Sequence, residues 1–247
     1  MNIDFHVHGI LSKKINFDPS LLLEGIEYAK QNNLDSFVLC EHYNAKDFLK
    51  LHQYLYENYQ YIDDRYIVNG FSIFPGIEVS IKNKGHIIIA GSRDNILSLY
   101  NELLPDIEND LPIDFETLLD LADKYNCIKI GSHPFRKGHK LIKHPESLLK
   151  RLDALDLNAK DIYRSGPSVV SEEIYGLSKK LNVPVVSGSD SHYPIQLGSI
   201  LTNLNTTCYT INEIKQCLLA SNYSITIFPT LDLKVYTAKV MKHYVLS

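Results

Sequence analysis

The chain has 247 residues, 45% hydrophobic and 22% charged, with a formal net charge of −4. That length and balance suit a globular chain with a sizeable core. A single domain over 1–247 is expected, since no linker or composition break divides it. The weak negative charge gives no general attraction to nucleic acid or acidic membranes, no apolar run approaches the ~18 residues of a membrane helix, and the polar start "MNIDFHVHG" does not read as a signal peptide.

The first predicted element is a strand in "NIDFHVHGI" (2–10), with Asp4, His6 and His8 at every second position. Alternate side chains of a strand leave on opposite faces, so the acid and both imidazoles are expected on one face, with Ile3, Phe5 and Val7 on the other. "DPSLLLEGIEYAKQNN" follows as a helix, capped by Asp18 with Pro19 in its first turn. "SFVLCEH" (36–42) is strand-like and "DFLKLHQYLYENY" helical; "FSIFPGIEVS" (71–80) and "HIIIAG" (86–91) are strand-like and "DFETLLDLADKYN" helical. "CIKIGSH" (127–133) and "LDALDLN" (152–158) are strands, "SVVSEEIYGLSKKLN" a helix and "PVVSGSD" (184–190) a strand. The tail, "TINEIKQCLLASNYSITIFP", reads as one last helix and strand. Strands alternating with helices predict βα units around a mainly parallel sheet, closed or open.

Most of these strands end on a residue that can bind metal. His6 and His8 lie on the first, Glu41 and His42 close the second, and Glu78 lies near the end of the third. His133 ends the fifth, and Asp190 and His192 follow the last. In a βα barrel these ends share one face, where reactive groups gather. His86 instead opens its strand, which predicts an antiparallel turn or a loop position. Imidazole and carboxylate are good ligands for Zn, Mn and Fe ions, and a carboxylate such as Glu78 can bridge two cations. The remaining histidines, His52, His139, His144 and His243, are expected at the surface. Cys40, Cys127, Cys208 and Cys217 form no CxxC pair and read as buried free thiols, in keeping with a cytoplasmic location.

The ordered motifs resemble the polymerase and histidinol phosphatase (PHP) family of metal-dependent phosphoesterases. They are "DFHVH" (4–8), "LCEHYN" (39–44), "PGIEVS" (75–80), "GHIIIAG" (85–91), "GSHPFR" (131–136) and "SGSDSH" (187–192). The resemblance implies a distorted (βα)7 barrel holding two or three divalent metal ions (Mn, Zn or Fe). Carried over, His6, His8, Glu78 and Asp190 hold one ion; Glu78, His86 and His133 a second; His42 and His192 belong to a third. Asp4 would orient a ligand histidine. The loop "HGILSKK" places Lys13 where small family phosphatases often have an acid, so the third site is expected to be weak, empty or completed by another group such as Asp18. Lys13 would then contact the substrate phosphate. Arg136, after the His-Pro pair, would hold that phosphate in its fork, backed by the basic loop 136–144.

The expected reaction is hydrolysis of a phosphomonoester of a small metabolite by a hydroxide between two metals, with Glu78, Arg136 and His192 in catalytic roles and His192 or a water protonating the leaving oxygen. A nuclease or nucleotide 5′-phosphatase with the same cluster is the alternative, but no long basic groove favours nucleic acid. A non-catalytic regulatory module would not need the full ligand set. C–N hydrolysis of amidohydrolase type also begins with HxH, but its other ligands do not match.

Overall fold

The computed structural model describes residues 1–109 and 111–247. In chain order the elements are β1 (Asn2–Val7), α1 (Pro19–Gln31), β2 (Ser36–His42), α2 (Phe48–Asn58), β3 (Gln60–Ile62), β4 (Arg65–Val68), β5 (Phe71–Ser80), β6 (His86–Ala90), α3 (Arg93–Glu108) and α4 (Phe115–Lys124). They continue with β7 (Ile128–Gly131), α5 (Glu146–Leu149), β8 (Ala154–Asn158), α6 (Ala159–Ser165), α7 (Pro167–Leu181), β9 (Val185–Gly188), β10 (Ile200–Leu204), α8 (Ile211–Leu219), β11 (Tyr223–Ile227) and α9 (Leu231–Leu246). No helix among the described residues is long and apolar enough to cross a membrane.

The strands run in the order β11-β10-β1-β2-β5-β6-β7-β8-β9. The stretch from β1 to β9 almost closes on itself. Val7 bridges Ser191, the His8 amide donates to the Ser191 carbonyl at 2.9 Å, and the Asp190 amide donates to the His6 carbonyl at 2.8 Å. The result is a distorted barrel with helices outside, as the resemblance implied. Neighbours β1–β2, β2–β5, β7–β8 and β8–β9 are parallel. β6 is antiparallel to both of its neighbours, so its first residue, His86, pairs with Ser80 at the end of β5. That is why a histidine at a strand start reaches the rim where the other strands finish.

Alternation along the strands divides the apolar residues into two layers. Val38, Cys40, Phe74, Ile88, Ile130 and Val186 fill the barrel interior. Phe37, Leu39, Ile73, Ile77, Ile87 and Ile89 point outward into the helical layer, where they meet residues such as Ile26, Leu51 and Leu99. Most of these side chains are completely buried. At about 25 cal/mol per Å² of apolar surface removed from water, this layering is the main driving term of the fold.

β1 departs from simple alternation. Asp4 pairs with Phe37 and Val7 with Leu39, so β1 spends one residue more than β2 over that interval. Such a bulge resets which side chains face in. Asp4 and Val7 share the outward face of Phe37 and Leu39, while His6 and His8, on either side of Val7, turn into the barrel. The acid therefore does not share a face with the two imidazoles.

Other expectations are met or corrected locally. The Asp18 side chain accepts from the Ser20 amide and caps α1, with Pro19 at its start. The tail holds α8 and β11 and then α9, a helix the sequence reading omits because apolar and polar residues are mixed around it. His52 is buried on α2, not at the surface, with its ring 4.6 Å from Phe48 and no hydrogen-bond partner for either nitrogen among the described residues. Burial pushes its pKa down to about 4. The four cysteines are free and buried.

Candidate metal centre and active site

All eight residues expected to ligate metal converge at the rim where β1, β2 and β5 end. Glu78 is the hub. Its Oε2 lies 3.0 Å from His42 Nδ1 and 3.6 Å from His8 Nε2. Its Oε1 lies 3.2 Å from His86 Nδ1, 3.3 Å from His133 Nε2 and 3.4 Å from His6 Nε2. Asp190 Oδ1 is 3.6 Å from His8 Nε2 and 3.9 Å from His6 Nε2. The His192 ring stacks on His8 with centroids 4.0 Å apart.

Backbone geometry aims the last candidate ligands inward. His133 and Asp190 have φ of +51° and +56°, the left-handed region that non-glycine residues rarely adopt. Such conformations concentrate at functional sites. Gly188 is needed for close approach. A Cβ there would lie 2.4 Å from Asp156 Oδ1 and 2.5 Å from His6 Cβ.

Around the candidate ligands lies a ring of groups that fix them. Asp156 Oδ2 meets His6 Nδ1 at 2.9 Å, leaving Nε2 turned toward Glu78. Asn158 donates to the same Asp156 oxygen at 2.8 Å. Asp4 does not hold an imidazole; its Oδ1 accepts from the backbone amides of His6 and Ser189, tying β1 to the turn after β9. Burial raises its carboxyl to about 7. Glu41 Oε1 accepts from the His42 amide and lies 3.5 Å from His8 Nδ1.

Arg136 is enclosed by the protein. Nε donates to Asp161 at 2.8 Å, one terminal nitrogen to Asp190 Oδ2 at 2.8 Å and the other to Asn158 at 2.7 Å. The fork expected to grip substrate phosphate thus grips Asp190. Lys13 is exposed, and its ammonium makes no hydrogen bond or ion pair among the described residues. The ammonium at the cluster belongs to Lys160, 2.7 Å from Asp190 Oδ1 and 3.3 Å from His192 Nδ1. His139 is exposed as expected, but its ring lies 4.4 Å from that of His86, at the mouth of the cluster.

Charges in the buried site are interdependent. Burial alone would raise the Glu78 carboxyl, but His86, His6 and His42 hold it well below the ordinary range. Burial acts likewise on Asp190, where Lys160, His6 and Arg136 prevail and keep it ionised. Burial opposes a proton on His6, yet Glu78 and Asp190 raise its pKa well above the usual value. Burial and Arg136 push His133 down to about 3, and burial with the nearby charges of His8 and Lys160 holds His192 neutral.

The donor set fits divalent cations. Ligand atoms fall into three groups, each within 4.8 Å: His6, His8 and Asp190; Glu78, His86 and His133; His8, His42 and His192. Glu78 Oε1 and His86 Nδ1, 3.2 Å apart, are buried without hydrogen-bond partners among the described residues, which a cation held between them would relieve. His8 thus joins His42 and His192, giving the third group a ligand that the motif mapping had placed only at the first.

Asp156, Lys160 and Glu41's approach to His8 are contributions that sequence reasoning missed. The "ALDLN" alternation put Asp156 on the inward face, which is the one signal for it; Lys160 sits in a short helix with no motif.

No protein-family model and no curated protein sequence matches the chain. Solved structures do match its fold. PsfC from Pseudomonas syringae superposes with a TM-score of 0.81 at 21% identity, over 99% of this chain and 98% of that one. The lesion-specific endonuclease EndoQ from Pyrococcus furiosus gives 0.69 at 20% identity, over 91% of this chain and 57% of its own length. A protein assigned as a metal-dependent phosphoesterase from Bifidobacterium adolescentis gives 0.51 at 12%, over 88% and 95%.

Proposed function

We propose that this chain, which has a distorted barrel of the PHP type, is a metal-dependent phosphomonoesterase acting on a small phosphorylated metabolite. One observation carries the reading: a single buried carboxylate, Glu78, lies within 3.0–3.6 Å of five imidazoles from four separate segments. A structural role would not need so many neutral or protonatable rings around one acid. The fold likeness to EndoQ and to a protein assigned as a phosphoesterase supports phosphoester chemistry.

Bound divalent cations would supply an activated water and neutralise phosphate oxygens. The chain's own residues do the rest. Glu78 joins the His6–His8–Asp190 and Glu78–His86–His133 groups into one rigid unit. Asp156 fixes the tautomer and direction of His6, as carboxylates behind ligand histidines do. Arg136 is a positioning residue: with Asn158 and Asp161 it sets the angle of Asp190. Lys160, paired with Asp190 at the edge of the cluster, is the cation that meets a phosphate oxygen, the part the sequence assigned to Arg136 and Lys13. His192 serves as a ligand, its ring held between His8 and Lys160. Hydrolysis forms one bond from water oxygen to phosphorus and breaks the ester P–O bond, so the alcohol leaves with a proton.

The third group consists of three imidazoles and has no carboxylate of its own, only the edge of Glu78 beside His42, and Lys160 stands beside it. Repulsion from that ammonium makes this the weakest of the three. The purified protein should be screened with Mn²⁺ against small phosphomonoesters and against intact and abasic oligonucleotides. Turnover of monoesters alone supports the reading; cleavage of oligonucleotides alone replaces it with a nuclease.

A further inference from the structure

Beside the cluster is a cavity of about 300 Å³. His192 and Lys160 belong to both, so the cavity begins where the cluster ends. Its walls are two helix faces. Lys160, Tyr163 and Arg164 follow the i, i+3, i+4 spacing of α6, and Val235, Ala238, Lys239 and Lys242 that of α9. Among the described residues no acidic side chain lines it. In a chain of net charge −4, four cations therefore face one space.

Lys160 is paired with Asp190 at 2.7 Å, but the other three cations are poorly neutralised. Lys239 and Lys242 have no carboxylate partner among the described residues, and Arg164 reaches only Asp161, at 4.0 Å. Burial and the Lys160 charge push the Lys242 ammonium down to about 8. Holding like charges around a partly enclosed cavity is costly unless an anion joins them. Apart from Gln196 and His192, the rest of the lining is apolar or aromatic: Val235, Ala238, Tyr163 and Tyr193. The size is that of a small-molecule pocket rather than a nucleic-acid groove.

We infer that this cavity is the specificity pocket of the site, and that it takes the second anionic group, carboxylate or phosphate, of a substrate whose first phosphate lies at the cluster. The inference rests on the proposed phosphoesterase reading and adds the substrate class: small bis-anionic phosphoesters with an apolar or ring-shaped middle. Lys239 and Lys242 bind the distal anion, the two tyrosines flank the body, and Lys160 stands between the anions.

The test is a binding measurement that needs no turnover. Calorimetric affinities of the purified protein are compared for propylphosphonate, for ω-phosphonocarboxylates of increasing chain length from phosphonoacetate upward, and for the matching bisphosphonates. At the best length, at least one bis-anionic series should bind about tenfold or more tighter than the mono-anion, as charge-assisted contacts of this kind allow. The series that gains identifies the distal group. In a Lys239→Ala/Lys242→Ala variant the preference should vanish while propylphosphonate binds as before. No preference at any length, or a preference unchanged in the variant, overturns the inference. So does an oligodeoxynucleotide whose binding depends on the two lysines when the bis-anions show no gain. Retained preference in a protein that hydrolyses no phosphoester upholds the pocket and rejects the phosphoesterase reading instead.

Discussion

The cluster and the cavity beside it are built on opposite principles. The cluster is carried by strand ends and the turns after them, is almost fully buried, and concentrates carboxylates and imidazoles that restrain one another through Glu78. The cavity is carried by the faces of two helices, is partly open, and concentrates ammonium and guanidinium groups, of which Lys239 and Lys242 lack a carboxylate partner among the described residues. His192 and Lys160 are the seam. On the proposed reading, chemistry belongs to the cluster and selectivity to the cavity. Ligands must be held to fractions of an ångström, which hydrogen-bonded strands provide, whereas a distal charge contact tolerates long, flexible side chains.

The first way to break this contrast is to remove the charge at the hub. Glu78→Gln keeps the shape of the side chain but leaves five imidazoles without their shared anion. Phosphoesterase activity should fall by about a thousandfold or more, with the circular dichroism spectrum unchanged. Activity within a few-fold of wild type would remove Glu78 from its central place.

A second test uses His52, a buried histidine that belongs to neither region. Its imidazole titrates near 6.5 in the unfolded chain and near 4 in the folded one. Between those values the unfolded chain takes up a proton that the folded chain does not. Stability contributed by the neutral ring is therefore full above 6.5, is lost as pH falls, and changes no further below about 4. Relative to His52→Leu, the wild type should lose about 3 kcal/mol of unfolding free energy between pH 7 and pH 4. Parallel stability curves for the two proteins would show that His52 is solvated. The comparison sharpens what the cluster does: there, neighbouring carboxylates raise His6 against the same burial that depresses His52.

The smallest effect is expected from the ring around the ligands. Asp156→Asn removes the carboxylate behind His6 and should cost about ten- to a hundredfold in metal affinity or activity. An unchanged protein would mean that Gly188 and the β1 bulge alone aim His6.

The same contrast explains what was legible in the sequence. Cluster residues stand at strand ends in short motifs, and a period of two gives each strand one inward set, so all eight were readable. His86 at a strand start even announced the reversal of β6. The bulge in β1 was not readable, because a single extra residue leaves no mark on composition, and it moved Asp4 off the face of His6. Asp156 and Lys160 act through contacts 150 and 30 residues away in the chain, to His6 and Asp190. No local pattern records such meetings. The cavity depends on α9, whose mixed surface hid the helix and with it the shared face of Lys239 and Lys242. Lys13 was conspicuous only because the loop was compared with the family's acid.

Calorimetric titration of the metal-free protein with Mn²⁺, confirmed by elemental analysis, measures directly whether Glu78 joins two cation sites. Wild type should take up two tight equivalents per chain, with any third markedly weaker beside Lys160, and Glu78→Gln should lose tight binding at both. Absence of tight uptake by wild type, or two tight equivalents that survive in Glu78→Gln, would contradict it.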